Sequence, residues 1–186
     1  MREALVKATL RAIAEDGPEG FTLRDVARRA GVSPAAPYRH FRDKDELFAA
    51  VAAECAERLV AVIEAAIAEP SDDALHQFRN IGIALVQFAA ANPEHFRALN
   101  APAIADRLPG KLETWNLKQR ELLAAGQAAG QIAAFDLDTL LLAANCLVLG
   151  LGNLIVQGHL GEVSQARAKQ LAIAATAVLG LGLIPR

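Results

Sequence analysis

The residues best suited to chemistry stand close together. Between Phe21 and Lys44 there are six cations (Arg24, Arg28, Arg29, Arg39, Arg42, Lys44) and two anions, Asp25 and Asp43. That local balance of +4, in a chain of net charge −2, leaves −6 for the remainder. A basic patch on an otherwise acidic protein is the footprint of a localised phosphate-binding surface. A solvated helix face would carry the same charge, so charge alone leaves both readings open.

Other chemistries find no support. His40, His76, His95 and His159 do not pair at i, i+4, and no Cys or carboxylate cluster lies near them at ligand spacing, so no metal site is expected. Cys55 and Cys146 fall inside apolar helical pattern and read as free buried thiols, which fits a reducing cytoplasm. Gly150-Leu151-Gly152 lies in a helical stretch and is not a phosphate loop. Asp136 and Asp138 open a helix, where the macrodipole accounts for them. No nucleophile, base and oxyanion donor can be assembled, so the expectation is no enzyme, no catalytic residue and no cofactor.

The elements around the basic cluster are short and well punctuated. A first helix over Arg2 to Glu15, with Leu5, Val6, Leu10 and Ile13 as its apolar stripe, stops at Asp16-Gly17-Pro18. Thr22 and Asp25 have capping-box spacing and open a second helix with Leu23, Val26, Ala27 and Ala30 on one face. Gly31 ends it where a left-handed residue is needed, in a turn read as too tight for a Cβ. Ser33 caps a third helix, with Pro34 at its first position, running to about Phe41. Pro37 removes its first internal bond and distorts that turn. Asp43 and Glu46 form another capping box ahead of a long helix from Lys44. Two short helices joined by a glycine turn describe a helix-turn-helix. A generic helical hairpin has no reason to gather Tyr38, Arg39, His40, Arg42 and Lys44 at one exposed end.

The segment "FTLRDVARRAGVSPAAPYRHFRDKDEL", Phe21 to Leu47, resembles the DNA-binding domain of TetR-type transcriptional regulators. It carries Thr22, the turn Ala30-Gly31-Val32-Ser33, then Tyr38-Arg39-His40-Phe41, and Lys44 with Leu47. The resemblance implies a bacterial, ligand-responsive repressor bound to a double-stranded DNA operator. It implies that Thr22, Arg24, Ser33, Pro34, Ala35, Ala36, Tyr38, Arg39, His40 and Lys44 face DNA. Thr22, Tyr38, His40 and Lys44 would contact phosphates; Ala35 and Ala36 would touch thymine methyls; Arg39 or Arg24 would reach guanine. Arg2 alone is a poor substitute for the basic N-terminal arm that many members carry.

The chain as a whole is 53% hydrophobic, only 5% aromatic, and has a mean hydropathy of +0.24. No strand pattern, repeat or low-complexity stretch appears. The fold class expected is therefore all-α: a three-helix helix-turn-helix domain over 1–47 and a larger antiparallel helical domain over 48–186. Further helices are expected over Lys44 to Ile67 (closed by Pro70), after a Ser71 cap to Ala91, through Phe96 and Leu99, over Lys111 to Gly130, over Asp136 to His159 and over Ser164 to Leu183. Residues 100 to 110 read as a loop. The last two helices are apolar nearly all round, with small residues on one face of each: Ala143, Cys146, Gly150 and Asn153, then Ala168, Ala172, Thr176 and Gly180. Thr139 to Val156 approaches the length of a membrane span. With Asn145 and Asn153 inside it and no basic or aromatic flanks, it reads as an interface helix instead.

The resemblance assigns these two helices to a homodimer interface. It also implies a cavity among the middle helices for a small-molecule effector, with Phe78, Phe88, Phe96, Trp115, Gln119 and Asn145 as candidate lining and His76 as a further polar anchor. Such walls suit an uncharged, hydrophobic or aromatic effector. Ordinary core packing would use the same aromatics. Two rival functions remain at this point: a binding protein that kept the fold and lost DNA recognition, and a helical-bundle enzyme.

Overall fold

The structure, a computed structural model, describes residues 1–68, 71, 73–108 and 110–183, with the backbone alone for 111–115. Among the described residues every regular element is helical: α1 (Arg2–Asp16), α2 (Leu23–Arg29), a 3-10 turn (Pro37–Arg39), α3 (Lys44–Ala66), α4 (Ala74–Ala91), α5 (Pro93–Leu99), α6 (Pro102–Ala105), α7 (Lys111–Ala128), α8 (Leu137–Val156) and α9 (Gln165–Leu183). The all-α class with an N-terminal helix-turn-helix is the one the sequence led us to expect.

Two compact units form, Met1–Arg58 with Glu94–Lys111, and Leu59–Pro93 with Leu112–Arg186. This differs from a single boundary after residue 47 for two reasons. α3 is continuous, so its first turns extend the first unit beyond that point. The chain after Pro93 then returns to the first unit, because Ala98 and Ile104 are fully buried in its apolar cluster.

In the first unit the expected stripe of α1 is buried throughout, Leu5 and Leu10 almost completely. It meets Val26 from α2 and Phe41, Leu47, Phe48 and Val51. A helix as short as α1 is marginal alone in water, so burial of this face holds it. Phe21 and Phe48 lock edge to face, with centroids 6.0 Å apart.

In the second unit α4 packs closely against α8 and α9. A Cβ at Gly82 would come within 3.2 Å of Val148 and 3.3 Å of Thr176, so the glycine is what lets α4 approach both helices. The small stripe of α9 (Ala168, Ala172, Thr176, Gly180) is buried inside the protomer, contrary to the outward role expected of it. The stripe of α8 lies outward, with Ala143, Cys146 and Gly150 exposed. Periodicity shows which residues share a face; it does not show whether the same chain covers that face. α8 is also long and apolar enough to cross a membrane, with mean hydropathy 2.1, and only 28% of that stretch is buried within the protomer.

Two local signals between α3 and α7 are corrected. Asp73, not Ser71, caps α4 by accepting from the His76 N–H at 2.8 Å, while Ser71 accepts from the Asp73 N–H. Residues 100–110 are not all loop, since Pro102, pre-set for a first helical position, starts the one-turn α6. Pro70, expected to close α3, lies outside the described residues.

Candidate nucleic-acid interface and cavity

The interface is built on α2 and the turn after it. Thr22 caps α2 in a complete capping box: its hydroxyl donates to Asp25 Oδ2 at 2.7 Å, its N–H donates to the same oxygen at 3.0 Å, and the Asp25 N–H returns to the hydroxyl at 3.3 Å. The Thr22 hydroxyl, followed by its N–H, holds the Asp25 carboxyl below its ordinary range. Gly31 then adopts φ +70°, where L side chains are strained. A Cβ there would meet nothing within 4 Å, so the backbone angle demands glycine and steric tightness does not.

The third helix expected over Pro34 to Phe41 is shorter than anticipated. Pro37 has no N–H to offer Ser33, so the Ser33 carbonyl takes the Ala36 N–H at 2.9 Å instead. The chain tightens into i, i+3 bonding, Arg39 to Ala36 and His40 to Pro37, and only Pro37–Arg39 is a 3-10 turn. Ser33, Pro34, Ala35, Tyr38, Arg39 and His40 are exposed along it, Tyr38 by 54%. Ala36 differs from the expectation: it is 9% exposed, and Pro37 after it is buried as well.

The six cations divide by partner. Arg29 is bound to Glu15 and Asp16 of α1, which ties α2 to α1 and raises its already high pKa further. Arg28 faces Asp25 at 3.4 Å, and Arg42 faces Glu46 at 3.2 Å. Glu46 completes a variant of the expected box: the Asp43 carboxylate accepts from the Glu46 N–H at 2.9 Å, but Glu46 accepts from the Arg42 N–H and so sits below its ordinary pKa. Lys44 donates to the Phe21 carbonyl. Arg24 and Arg39 have no acidic partner among the described residues and are exposed. Arg2 lies over the Phe41 ring at 5.4 Å, an internal contact for the one N-terminal arginine. The arrangement offers two free guanidiniums, a phenol and an imidazole around a backbone turn that reaches solvent. Those groups can bind phosphate oxygens and base edges.

In the second unit a slot of about 20 Å³ opens between α4, α7, α8 and α9. Three of the expected lining residues meet there: Phe78, Gln119 and Asn145. Phe88 is buried in α4 away from it, and Phe96 belongs to the first unit. The Trp115 side chain lies outside the described residues. His76 lines an adjoining groove of about 420 Å³. Arg79, which lines both spaces, escaped the sequence reading. The available signal was a lone arginine in α4, which carries no other arginine, lysine or carboxylate.

Comparison with known proteins follows the same line. Residues 5–51 match the sequence profile of "Bacterial regulatory proteins, tetR family". The chain is 30% identical over 154 residues to the nucleoid occlusion factor SlmA of Sodalis glossinidius (strain morsitans), covering 78% of this chain and 77% of that protein. It is 36% identical over 74 residues to the HTH-type transcriptional regulator BetI of Rhizobium meliloti, covering 40% and 31% respectively. Among solved structures, a TetR family transcription regulator from Marinobacter aquaeolei VT8 superposes with a TM-score of 0.77 at 20% identity, over 100% of this chain and 96% of that one. A bacterial regulatory protein in the tetR family from Rhodococcus RHA1 gives a TM-score of 0.75 at 22% identity, over 96% of each chain. These two likenesses show the fold alone.

Proposed function

The chain belongs to the tetR family of bacterial regulatory proteins, and on that premise we propose that this DNA-binding transcriptional regulator is a cytoplasmic repressor, released from a palindromic operator by a small hydrophobic or aromatic effector. The observation that carries the reading is the exposed, unpaired set Arg24, Tyr38, Arg39 and His40 around the Pro34–His40 turn. Cations left without internal partners favour an external anion, and their short turn enters a major groove with its backbone close to the bases. Two free cysteines, Cys55 and Cys146, suit a reducing compartment.

A homodimer through α8 and α9 completes the reading. Leu142, Leu149 and Leu154 on α8 and Val178 and Leu181 on α9 are exposed, Val178 by 73% and Leu181 by 72%. Exposed apolar side chains on two helices packed side by side mark an interaction site, and a second copy of the same two helices is the self-complementary cover. The effector reading draws on Phe78, Gln119 and Asn145, which converge on one slot. Ligand pockets run to roughly 300–1,000 Å³, so an effector must part α4 from α8 and α9 to enter.

Mobility shifts with an operator recovered from a random duplex library test the proposal. Arg39→Ala and Tyr38→Phe should weaken the complex while leaving the melting temperature of the free protein unchanged. Undiminished binding by both variants would remove the assignment of this turn to DNA.

A further inference from the structure

We propose that the effector is an amphipathic acid, its apolar body in the slot between α4, α8 and α9 and its anionic head on Arg79. The inference rests on the effector reading above and departs from an uncharged ligand. Arg79 projects from the middle of α4, and its Nε is buried without a hydrogen-bond partner. Its stem runs along α9, where a Cβ at Gly180 would stand 3.5 Å from the Arg79 Cδ.

Other half-buried arginines have their carboxylates. Arg29 has Glu15 and Asp16, and Arg107, 31% exposed, has Asp45 at 2.7 Å. Arg79 has none among the described residues, and no acid lines the slot or the adjoining groove. In the groove it is joined by His76 and Lys169. Three basic side chains thus surround one space in a chain that is acidic outside its DNA-binding segment.

A buried Nε–H without an acceptor is costly, and that cost is already met in the free protein. An incoming carboxylate therefore gains a charge-assisted partner at an Nε–H that is already desolvated, beside the terminal nitrogens of the same fork. The apolar walls, Leu75, Phe78, Leu85, Val148 and Leu179 among them, bind the rest of the molecule. A phosphate monoester presents the same chemistry as a carboxylate. An ammonium head is repelled.

Four probes with one apolar body isolate the head group: octanoate, octyl phosphate, octan-1-ol and octylamine, each titrated calorimetrically into the full-length protein below its micelle concentration. The acids should bind at least about tenfold more tightly than the alcohol, as a charge-assisted hydrogen bond implies, and the amine should not bind. Whichever acid binds more tightly identifies the head as carboxylate or phosphate. Arg79→Gln should bring the acids down to the alcohol's affinity without changing the alcohol, and Arg79→Lys should restore part of the difference. Lys169→Gln, an exposed change that leaves the fold intact, should weaken the acids alone. Equal affinity of octanoate, octyl phosphate and octan-1-ol would overturn the anionic head and leave the slot as an apolar effector site. No binding by any probe to folded protein would overturn the effector site itself.

Discussion

The Lys44 ammonium donates a hydrogen bond to the Phe21 carbonyl at 2.9 Å and stands 4.6 Å from the centroid of the same residue's ring. It lies 5.3 Å from the Phe48 ring as well. Lys44 thereby pins the start of α3 to the segment that leads into α2, and the box at Thr22 follows directly. Its remaining donors are free for a phosphate. The residue thus has a structural role in addition to the contact expected of it with DNA.

Lys44→Met should lower the stability of the first unit by about 1–2 kcal/mol, from one charge-assisted bond and a partly exposed cation–π contact. Arg39→Ala should not. Thermal melts beside mobility shifts separate the two, and equal melting temperatures for Lys44→Met and wild type would show that the Phe21 contact contributes nothing.

Gly31→Ala should cost roughly 1–2 kcal/mol through its positive φ, and Gly31→Asn less, because asparagine tolerates that region. Gly31→Val should cost most and weaken DNA binding through the altered turn. Since a Cβ there has open space around it, the order Asn, Ala, Val tests backbone strain, and three equal losses would contradict it.

Much of this was legible in the sequence because the signals are local. A cap with its partner three residues on, a glycine past a helix end and an i, i+3, i+4 stripe each fix one turn, so α1, α2 and the starts of α3 and α8 were readable. The length of the third element was not. Pro37 was recognised as a disruption, but how far tight i, i+3 bonding would spread from it depends on the geometry of the whole turn. The covered face of α9 and the return of Ala98 and Ile104 to the first unit are long-range packing choices that no window of residues encodes. Arg79 stands out in the sequence as the lone arginine of α4, but its lack of a carboxylate is again a matter of long-range packing.

Ala172 is fully buried within the protomer, so Ala172→Leu should overpack α9 and destabilise the protomer by about 1–3 kcal/mol at any concentration. Leu142→Glu and Val178→Glu alter side chains that are 65% and 73% exposed, and should leave a folded protein that sediments as a monomer. A dimer that survives both would exclude α8 and α9 as the interface.

The two thiols should report on the same face. Burial pushes the Cys55 thiol up to about 12, so it should resist modification until the protein unfolds. Exposed Cys146 lies on α8 and should react in dilute protein, then become protected as concentration rises and the dimer forms. Concentration-independent labelling of Cys146 would place the interface elsewhere.

Acid should unfold the protein late. Asp25 is held low by Thr22, Glu46 by the Arg42 N–H, Asp136 by the Thr139 N–H and Asp138 by Arg120. A carboxyl whose folded pKa is depressed contributes fully above its ordinary value and loses that contribution as pH falls through the folded one. Their contribution should therefore be constant from neutrality to about the ordinary glutamate value of 4.5 and decline below it. Melting temperatures across pH 3–7 check this, and a decline that is complete by pH 5 would assign acid sensitivity to other groups.

The central claim is that this protein reads a twofold DNA site through the turn between Ser33 and His40. Selection from a random duplex library, followed by mobility shifts of the recovered sequence across a salt series, tests it most directly. The account predicts a palindrome whose half-sites lie about one helical turn apart, roughly 34–36 Å or a multiple of it. It also predicts affinity falling steeply with salt, with a slope of about −0.9 per phosphate neutralised. Recovery of no palindrome, together with binding indifferent to salt, would contradict it.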